Sequence, residues 1–90
     1  DEMAAGVYGA AHRLNLSIPR DLSVVGFDDG PIAARLTPSL TTIRLPIRDI
    51  GRLAARKLVA PHGEEANTVY ADSPTMPHLI VRNSCAPPAA

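Results

Sequence analysis

A short and nearly continuous apolar run from Leu22 to Phe27 constrains the fold of this chain more than any other feature. Such a run between turn residues is typical of a strand that is buried on both faces in a parallel sheet. The run ends abruptly at Asp28-Asp29-Gly30-Pro31. Because ligands of open α/β sheets bind beyond the carboxyl ends of the strands, Asp28 is the first candidate for a binding residue.

The segments around this run alternate between helical and extended patterns. A helix is predicted over residues 2–15, with Asp1 as its N-cap. Its apolar stripe at helical spacing consists of Met3, Val7, Ala10 and Leu14. The further predicted elements are a short helix or loop over 31–36, a strand over 40–43, a helix over 47–59, and strands over 68–70 and 78–82. This order indicates an α/β protein, and residues 86–90 are predicted to form a disordered tail.

Composition and charge exclude several classes of function. The formal net charge is zero, which argues against these residues gripping nucleic acid. No apolar run approaches the ~20 residues that a membrane-spanning helix needs. The three histidines, His12, His62 and His78, lie far apart and beside no ligand cluster, so no metal site is predicted. The single cysteine, Cys85, excludes an intrachain disulfide and fits a reducing cytoplasm.

The two acidic residues after the run are expected to differ in role. A carboxylate only accepts hydrogen bonds and can take two hydroxyl or amine donors side by side, so Asp28 suits a sugar or a nucleobase. The alternative is that Asp28 merely caps the turn into residues 31–36. Asp29 is interpreted as a cap for the following short helix. Adjacent residues of a strand point to opposite faces, so the two carboxylates are not expected to form an acid/base pair.

Five segments, in order and at plausible spacing, carry a resemblance that covers nearly the whole chain. They are DEMAAG at 1–6, IPRDLSVVGFDD at 18–29, PSLTTI at 38–43, IRDIG at 47–51 and LIVRNS at 79–84. Together they resemble motifs of the LacI/GalR family of bacterial transcription regulators. The chain also opens on Asp1 without an initiator methionine, so we expect it to be part of a longer protein.

The resemblance implies an α/β fold of the periplasmic-binding-protein-like (type I) class. In that fold two lobes close on a ligand, and the chain crosses between them three times. The fragment would contain parts of both lobes around parallel sheets. Residues 1–85 would be the C-terminal portion of the effector-binding domain, with 1–44 mainly in the C-terminal lobe, 45–70 mainly in the N-terminal lobe and 71–85 as the returning segment.

The function that the resemblance implies is the sensing of a small sugar or nucleobase-like effector. Family members are cytoplasmic homodimers, and here a repressor is expected, without a cofactor. Operator DNA would be read by an N-terminal helix-turn-helix that is absent from these residues, and no membrane is involved. In the family, the residue matching Asp28 contacts the effector. Leu45 and Ile47 would line the cleft at the crossing segment, although ordinary core packing is an equal alternative and many members carry Gln at the position of Leu45.

The resemblance also implies a dimer surface, for which packing within the chain is the alternative. Its residues would be Ala5, Gly9, Ile32, Arg35 and Leu36. The sequence is also compatible with two other functions. A secreted solute-binding protein of a sugar transporter would share the fold, and a signal peptide instead of a helix-turn-helix upstream would identify it. An α/β enzyme using Asp28 has less support, because no nucleophile, base or phosphate loop accompanies that residue.

Overall fold

The computed structural model describes residues 1–59 and 76–88. Its elements are helices α1 (Glu2–Arg13), α2 (Pro31–Arg35) and α3 (Ile47–Val59), and strands β1 (Thr42–Arg44) and β2 (His78–Ile80). The strand predicted over 68–70 lies outside the described residues. The chain forms two compact units, Asp1–Arg44 with His78–Ala90, and Leu45–Pro77. The assignment of residue ranges to the lobes of the family fold stays a prediction.

The sheet of the first unit combines an antiparallel pair with a parallel contact. β1 and β2 run antiparallel, with Thr42 opposite Ile80 and Arg44 opposite His78. The run after Leu22 lies parallel to the chain that enters β1, through a bridge between Val25 and Thr41. In the described residues, the parallel sheet that the family fold implies is therefore represented by the pairing of this run with residues 41–43.

Within the described residues, the apolar run is covered on one face, whereas the sequence predicts burial on both. Val24 is buried, whereas Val25 and Phe27 are 54% and 47% exposed. Ala4, Ala33 and Leu40 pack with Val24 into the core of this unit and cover that one face. Successive side chains of an extended segment point to opposite faces, so the residues next to Val24 face away from this core.

Helix α1 packs on a different face from the predicted one. Met3, Val7 and Leu14 are exposed, whereas Ala4 and Ala11 are buried. Alanine has a small side chain, so the helix can approach the neighbouring segments closely on that side.

The end of α1 explains why the helix is shorter than predicted. Asn15 adopts a left-handed backbone with φ of 59°. The Leu16 N–H then donates to the Ala11 carbonyl at 2.8 Å, and the Asn15 N–H donates to the His12 carbonyl at 3.1 Å. These two bonds form a Schellman motif, which ends a helix by satisfying its last carbonyl groups.

Ser84 connects the final segment of the chain to the sheet. Its side chain is fully buried, accepts a hydrogen bond from the Thr41 N–H at 2.8 Å and donates one to the Val24 carbonyl. The last segment thereby closes the first unit through a hydroxyl group that lies between two neighbouring extended segments.

Helix α3 belongs to the second unit and matches its predicted bounds. It is amphipathic, and Ile47 and Leu58 of its predicted apolar stripe are exposed within this unit. Among the described helices, none is long and apolar enough to cross a membrane.

Candidate functional site

The loop that carries Asp28 leaves the parallel contact in an unusual backbone conformation. The Asp28 N–H donates to the Ile43 carbonyl at 2.8 Å, so pairing continues up to this residue. Asp28 and Asp29 then take positive φ angles of 106° and 53°. Residues other than glycine rarely adopt this region, and holding one there costs about 1–3 kcal/mol. The surrounding contacts must therefore compensate for the strain of two consecutive residues.

Asp29 forms ion pairs and does not cap α2, which corrects its predicted role. The N-cap of α2 is Gly30, and no side chain caps that helix. The Asp29 carboxylate instead meets Arg44, at 2.7 Å from Nη2, and Arg82, at 2.8 Å from Nη2. The Asp29 side chain is only 7% exposed. Because the left-handed turn directs it toward the β1–β2 pair, it lies beside two cations and not at the start of α2.

These contacts perturb the titration of Asp29. Burial raises the pKa of its carboxyl group, but hydrogen bonds from Arg44 and Arg82, together with their positive charges, outweigh burial and leave the pKa below its usual value. The ionised form therefore predominates throughout the neutral and mildly acidic range.

The lowered pKa predicts a stability that depends on pH. Above the usual carboxyl pKa of about 3.9 the ion pairs contribute fully, and the contribution is lost as pH falls through the lowered pKa of the folded state. We expect Asp29→Asn to lower the free energy of unfolding by about 2 kcal/mol near neutral pH, between the values for exposed and buried pairs. Urea unfolding of wild type and variant in the intact protein that carries this sequence measures the difference, which should shrink below about pH 4. A difference that stays constant on acidification would contradict the ion pairing.

Asp1 holds the same loop from the side of α1. Its carboxylate accepts hydrogen bonds from the Gly30 N–H at 2.6 Å and from the Thr42 hydroxyl at 2.7 Å. Its backbone nitrogen donates to the Phe27 carbonyl at 3.1 Å. Asp1 does occupy the predicted N-cap position, but its side chain makes no capping hydrogen bond to α1. The carboxylate thus joins α1, the loop and β1.

Close packing around this carboxylate requires a glycine in the strand segment. A Cβ atom on Gly26 would overlap the Asp1 Oδ1 atom and come within 2.7 Å of Leu40 Cδ2. Residue 26 must therefore lack a side chain for Asp1 to reach the loop.

Asp28 differs from its neighbours because its carboxylate is exposed and available. Within residues 1–59 and 76–88, no side chain or backbone group donates a hydrogen bond to it. A carboxylate in this state can accept two donors from a ligand. The geometry supports Asp28 as a candidate binding residue, at the end of the extended segment where the sequence predicts it.

The other predicted cleft residues lie in the second unit. Leu45 is half-buried, and Ile47, at the start of α3, is exposed. The Ile47 N–H donates to the Leu45 carbonyl at 2.9 Å. Their contact with an effector stays a prediction. The described part of the chain contains no group of three histidine, cysteine or acidic residues that could hold a metal ion.

The predicted dimer residues differ in how far they are buried within the first unit. Leu36 packs against the core of the first unit, as the alternative of packing within the chain supposes. Arg35 is exposed, and Ala5, Gly9 and Ile32 are half-buried. Their role in a dimer stays a prediction.

Sequence reasoning missed the residues that support the loop. Arg82 and Ser84 lie in the segment LIVRNS at 79–84. Thr42 lies in PSLTTI at 38–43, and Arg44 follows that segment directly. The sequence patterns predicted no role for any of the four. One feature of the sequence could have indicated a supporting role: Arg82 is a charged residue that directly follows the apolar run 79–81. Such a residue seldom lies against a sheet without an acidic partner.

Comparison with known proteins places this geometry in context. The family model described as "Periplasmic binding protein-like domain" matches residues 1–85. The HTH-type transcriptional regulator MalR of Streptomyces coelicolor is 44% identical over an alignment of 93 positions, which covers 96% of this chain and 25% of that protein. The lactose operon repressor of Rhizobium radiobacter is 40% identical over 90 residues, covering 100% of this chain and 78% of that sequence.

A solved structure of a regulator is also similar to this chain. A LacI family transcriptional regulator from Enterococcus faecium with bound ribose superposes with a TM-score of 0.71 at 30% identity, covering 97% of this chain and 32% of that one. The chain thus spans about a quarter of the length of MalR and about a third of the solved regulator.

Proposed function

Because this chain belongs to the LacI/GalR family and carries part of its periplasmic binding protein-like domain, we propose that it belongs to a sensor for a small sugar effector. The observation that carries the proposal is the Asp28 carboxylate, which is exposed at the end of a paired strand segment and accepts no hydrogen bond from the described residues. Two adjacent sugar hydroxyls would satisfy its two oxygens. Hydrogen bonds to a charged group contribute about 1.5–3 kcal/mol each, enough to select a hydroxylated ligand.

The parent protein would be a cytoplasmic homodimeric repressor that binds its effector without transforming it. Effector binding would favour one arrangement of the two lobes and thereby change the affinity of the DNA-binding segments for the operator. Leu45 and Ile47 would line the cleft beside the sugar. The dimer surface would use Ala5, Gly9, Ile32, Arg35 and Leu36. The relatives compared above are regulators, so a solute-binding protein of a transporter gains no support.

Isothermal titration calorimetry of the intact protein with ribose, lactose and adenine tests the proposal. We expect saturable binding of one of the two sugars and none of adenine. Asp28→Asn should weaken that binding about 10–100-fold, because a neutral amide replaces one acceptor oxygen by a donor and removes the charge.

A matched control is Asp21→Asn, which changes an exposed carboxylate that accepts a hydrogen bond from the Ser17 N–H at 2.8 Å, in the turn before the strand segment. That variant should bind like wild type. Equal affinity of the Asp28 and Asp21 variants would remove Asp28 from the site, and binding of adenine alone would replace the sugar by a nucleobase.

A further inference from the structure

Four backbone groups of the loop around Asp28 make hydrogen bonds, whereas the Asp28 side chain accepts none from the described residues. The Phe27 carbonyl accepts from Asp1, the Asp28 N–H donates to Ile43, and the Gly30 N–H donates to the Asp1 carboxylate. The Asp29 N–H also lies 3.4 Å from the Thr42 hydroxyl oxygen. The direction of the Asp28 carboxylate therefore follows from the backbone that these contacts impose.

The Asp29 carboxylate adds two ion pairs to these hydrogen bonds, and one of its partners, Arg82, makes further contacts of its own. The Arg82 side chain is 19% exposed and the Arg44 side chain 57%. Arg82 also donates from Nη1 to the Leu40 carbonyl at 3.0 Å, and its N–H donates to the Thr41 hydroxyl at 2.9 Å. Arg82 is thus anchored at both ends against the sheet, whereas the exposed Arg44 is held through Asp29 and through its place in β1.

We propose that Asp29 is a positioning residue for the effector site, whose ion pair with Arg82 holds Asp28 in the left-handed conformation that presents its carboxylate to a ligand. The proposal rests on the sugar-sensing function given above. Two consecutive positive φ angles are unfavourable for aspartate, so the loop relaxes when the restraint is lost. A change of φ at Asp28 rotates its Cα–Cβ bond and moves the carboxylate away from its present direction.

Asparagine at position 29 removes the negative charge and one of the two acceptor oxygens with little change of size. Its amide oxygen can accept a hydrogen bond from only one of the two arginines, and its amide nitrogen is a donor that cannot pair with the other. Arg82→Met removes the same ion pair from the other side and keeps the aliphatic part of the side chain. Both variants are therefore expected to act on Asp28 without touching the ligand.

The first test needs no ligand. Crystal structures of the intact wild type and the Asp29→Asn variant, both without sugar, report the backbone at Asp28. We expect φ of Asp28 to leave the positive region in the variant. An Asp28 that keeps φ near 106° without the ion pair would overturn the proposal.

The second test is a double-mutant cycle measured by calorimetry with ribose and lactose. Asp29→Asn and Arg82→Met should each weaken binding of the accepted sugar about tenfold, the size typical of losing a supporting residue. In an Asp28→Asn background, Asp29→Asn should add less than about a twofold loss, because its effect passes through Asp28. The same tenfold loss in that background would overturn the proposal.

A stability control separates positioning from a general loss of structure. Tyr8→Phe removes the hydrogen bond from the Tyr8 hydroxyl to the Pro38 carbonyl at 2.7 Å, which involves none of the loop residues 27–30. This variant should lower the melting temperature and leave sugar affinity unchanged. If Tyr8→Phe weakened sugar binding as much as Asp29→Asn does for the same loss of stability, the role of Asp29 would be merely structural. Should wild type bind neither sugar, the sensing function fails, and the crystal structures alone still decide whether Asp29 positions Asp28.

Discussion

Replacing Gly26 by alanine is expected to lower the free energy of unfolding by about 4 kcal/mol. The added Cβ atom would overlap Asp1 Oδ1 and lie 2.7 Å from Leu40 Cδ2. Leu40 is fully buried, so it has no free space into which to move. Asp1 would have to withdraw and lose its hydrogen bonds to the Gly30 N–H and the Thr42 hydroxyl. Overpacking and the loss of bonds to a charged group each contribute to the total. Urea unfolding of the intact protein measures the change.

Gly6→Ala is the matched control for this substitution. Gly6 lies within α1, and a Cβ atom there meets no atom within 4 Å. Alanine favours the helix, so this variant should gain about 0.5–1 kcal/mol in stability. A Gly26→Ala variant that unfolds within about 1 kcal/mol of wild type would show that Asp1 does not approach the strand segment as described.

Replacing Ser84 by alanine is expected to lower the free energy of unfolding by about 3 kcal/mol. The hydroxyl is fully buried and serves two backbone groups, the Thr41 N–H and the Val24 carbonyl. Alanine would leave the Thr41 N–H buried without its partner, and would leave the Val24 carbonyl with only the weak donor Cys85 Sγ at 3.4 Å. A buried polar group without a partner costs about 1–3 kcal/mol. Thermal unfolding followed by circular dichroism detects a loss of this size.

Ser23→Ala tests whether burial determines this effect. The Ser23 hydroxyl also bonds to two backbone groups, the Ala86 carbonyl at 3.2 Å and the Ala86 N–H at 3.1 Å, but these bonds are exposed. Water can replace the hydroxyl there, so the variant should lose less than about 1 kcal/mol. Equal losses for the two serine variants would contradict the role given to Ser84.

Sequence patterns predicted the elements better than the faces on which they pack. The bounds of α3 match, because an amphipathic period and Pro46 mark its start. In α1 two apolar stripes lie one residue apart, Met3–Val7 and Ala4–Ala11, and hydropathy favours the larger side chains. The structure buries the alanines. Which stripe packs depends on how closely the neighbouring segments approach, and that distance is a property of the tertiary fold that no periodicity encodes.

The residues of the candidate site were likewise predictable only in part. Asp28 follows from its place after an apolar run, since the end of a sheet strand is a general location for ligands. The roles of Asp29 and Arg82 did not follow, because they depend on a left-handed turn that redirects one carboxylate by its backbone angles. Residues 53 positions apart in the chain then meet at 2.8 Å. A single sequence provides no measure of that proximity.

The placement of Asp1 has a mechanical consequence. Its side chain holds the loop beside Asp28, while its carbonyl accepts the first hydrogen bond of α1, from the Ala5 N–H at 2.9 Å. Ala5 belongs to the proposed dimer surface. A displacement of the loop on ligand entry would therefore pull on the first turn of a helix whose next residues face the partner subunit in that proposal. The Asp1 side chain and the first turn of α1 would then shift together with the loop.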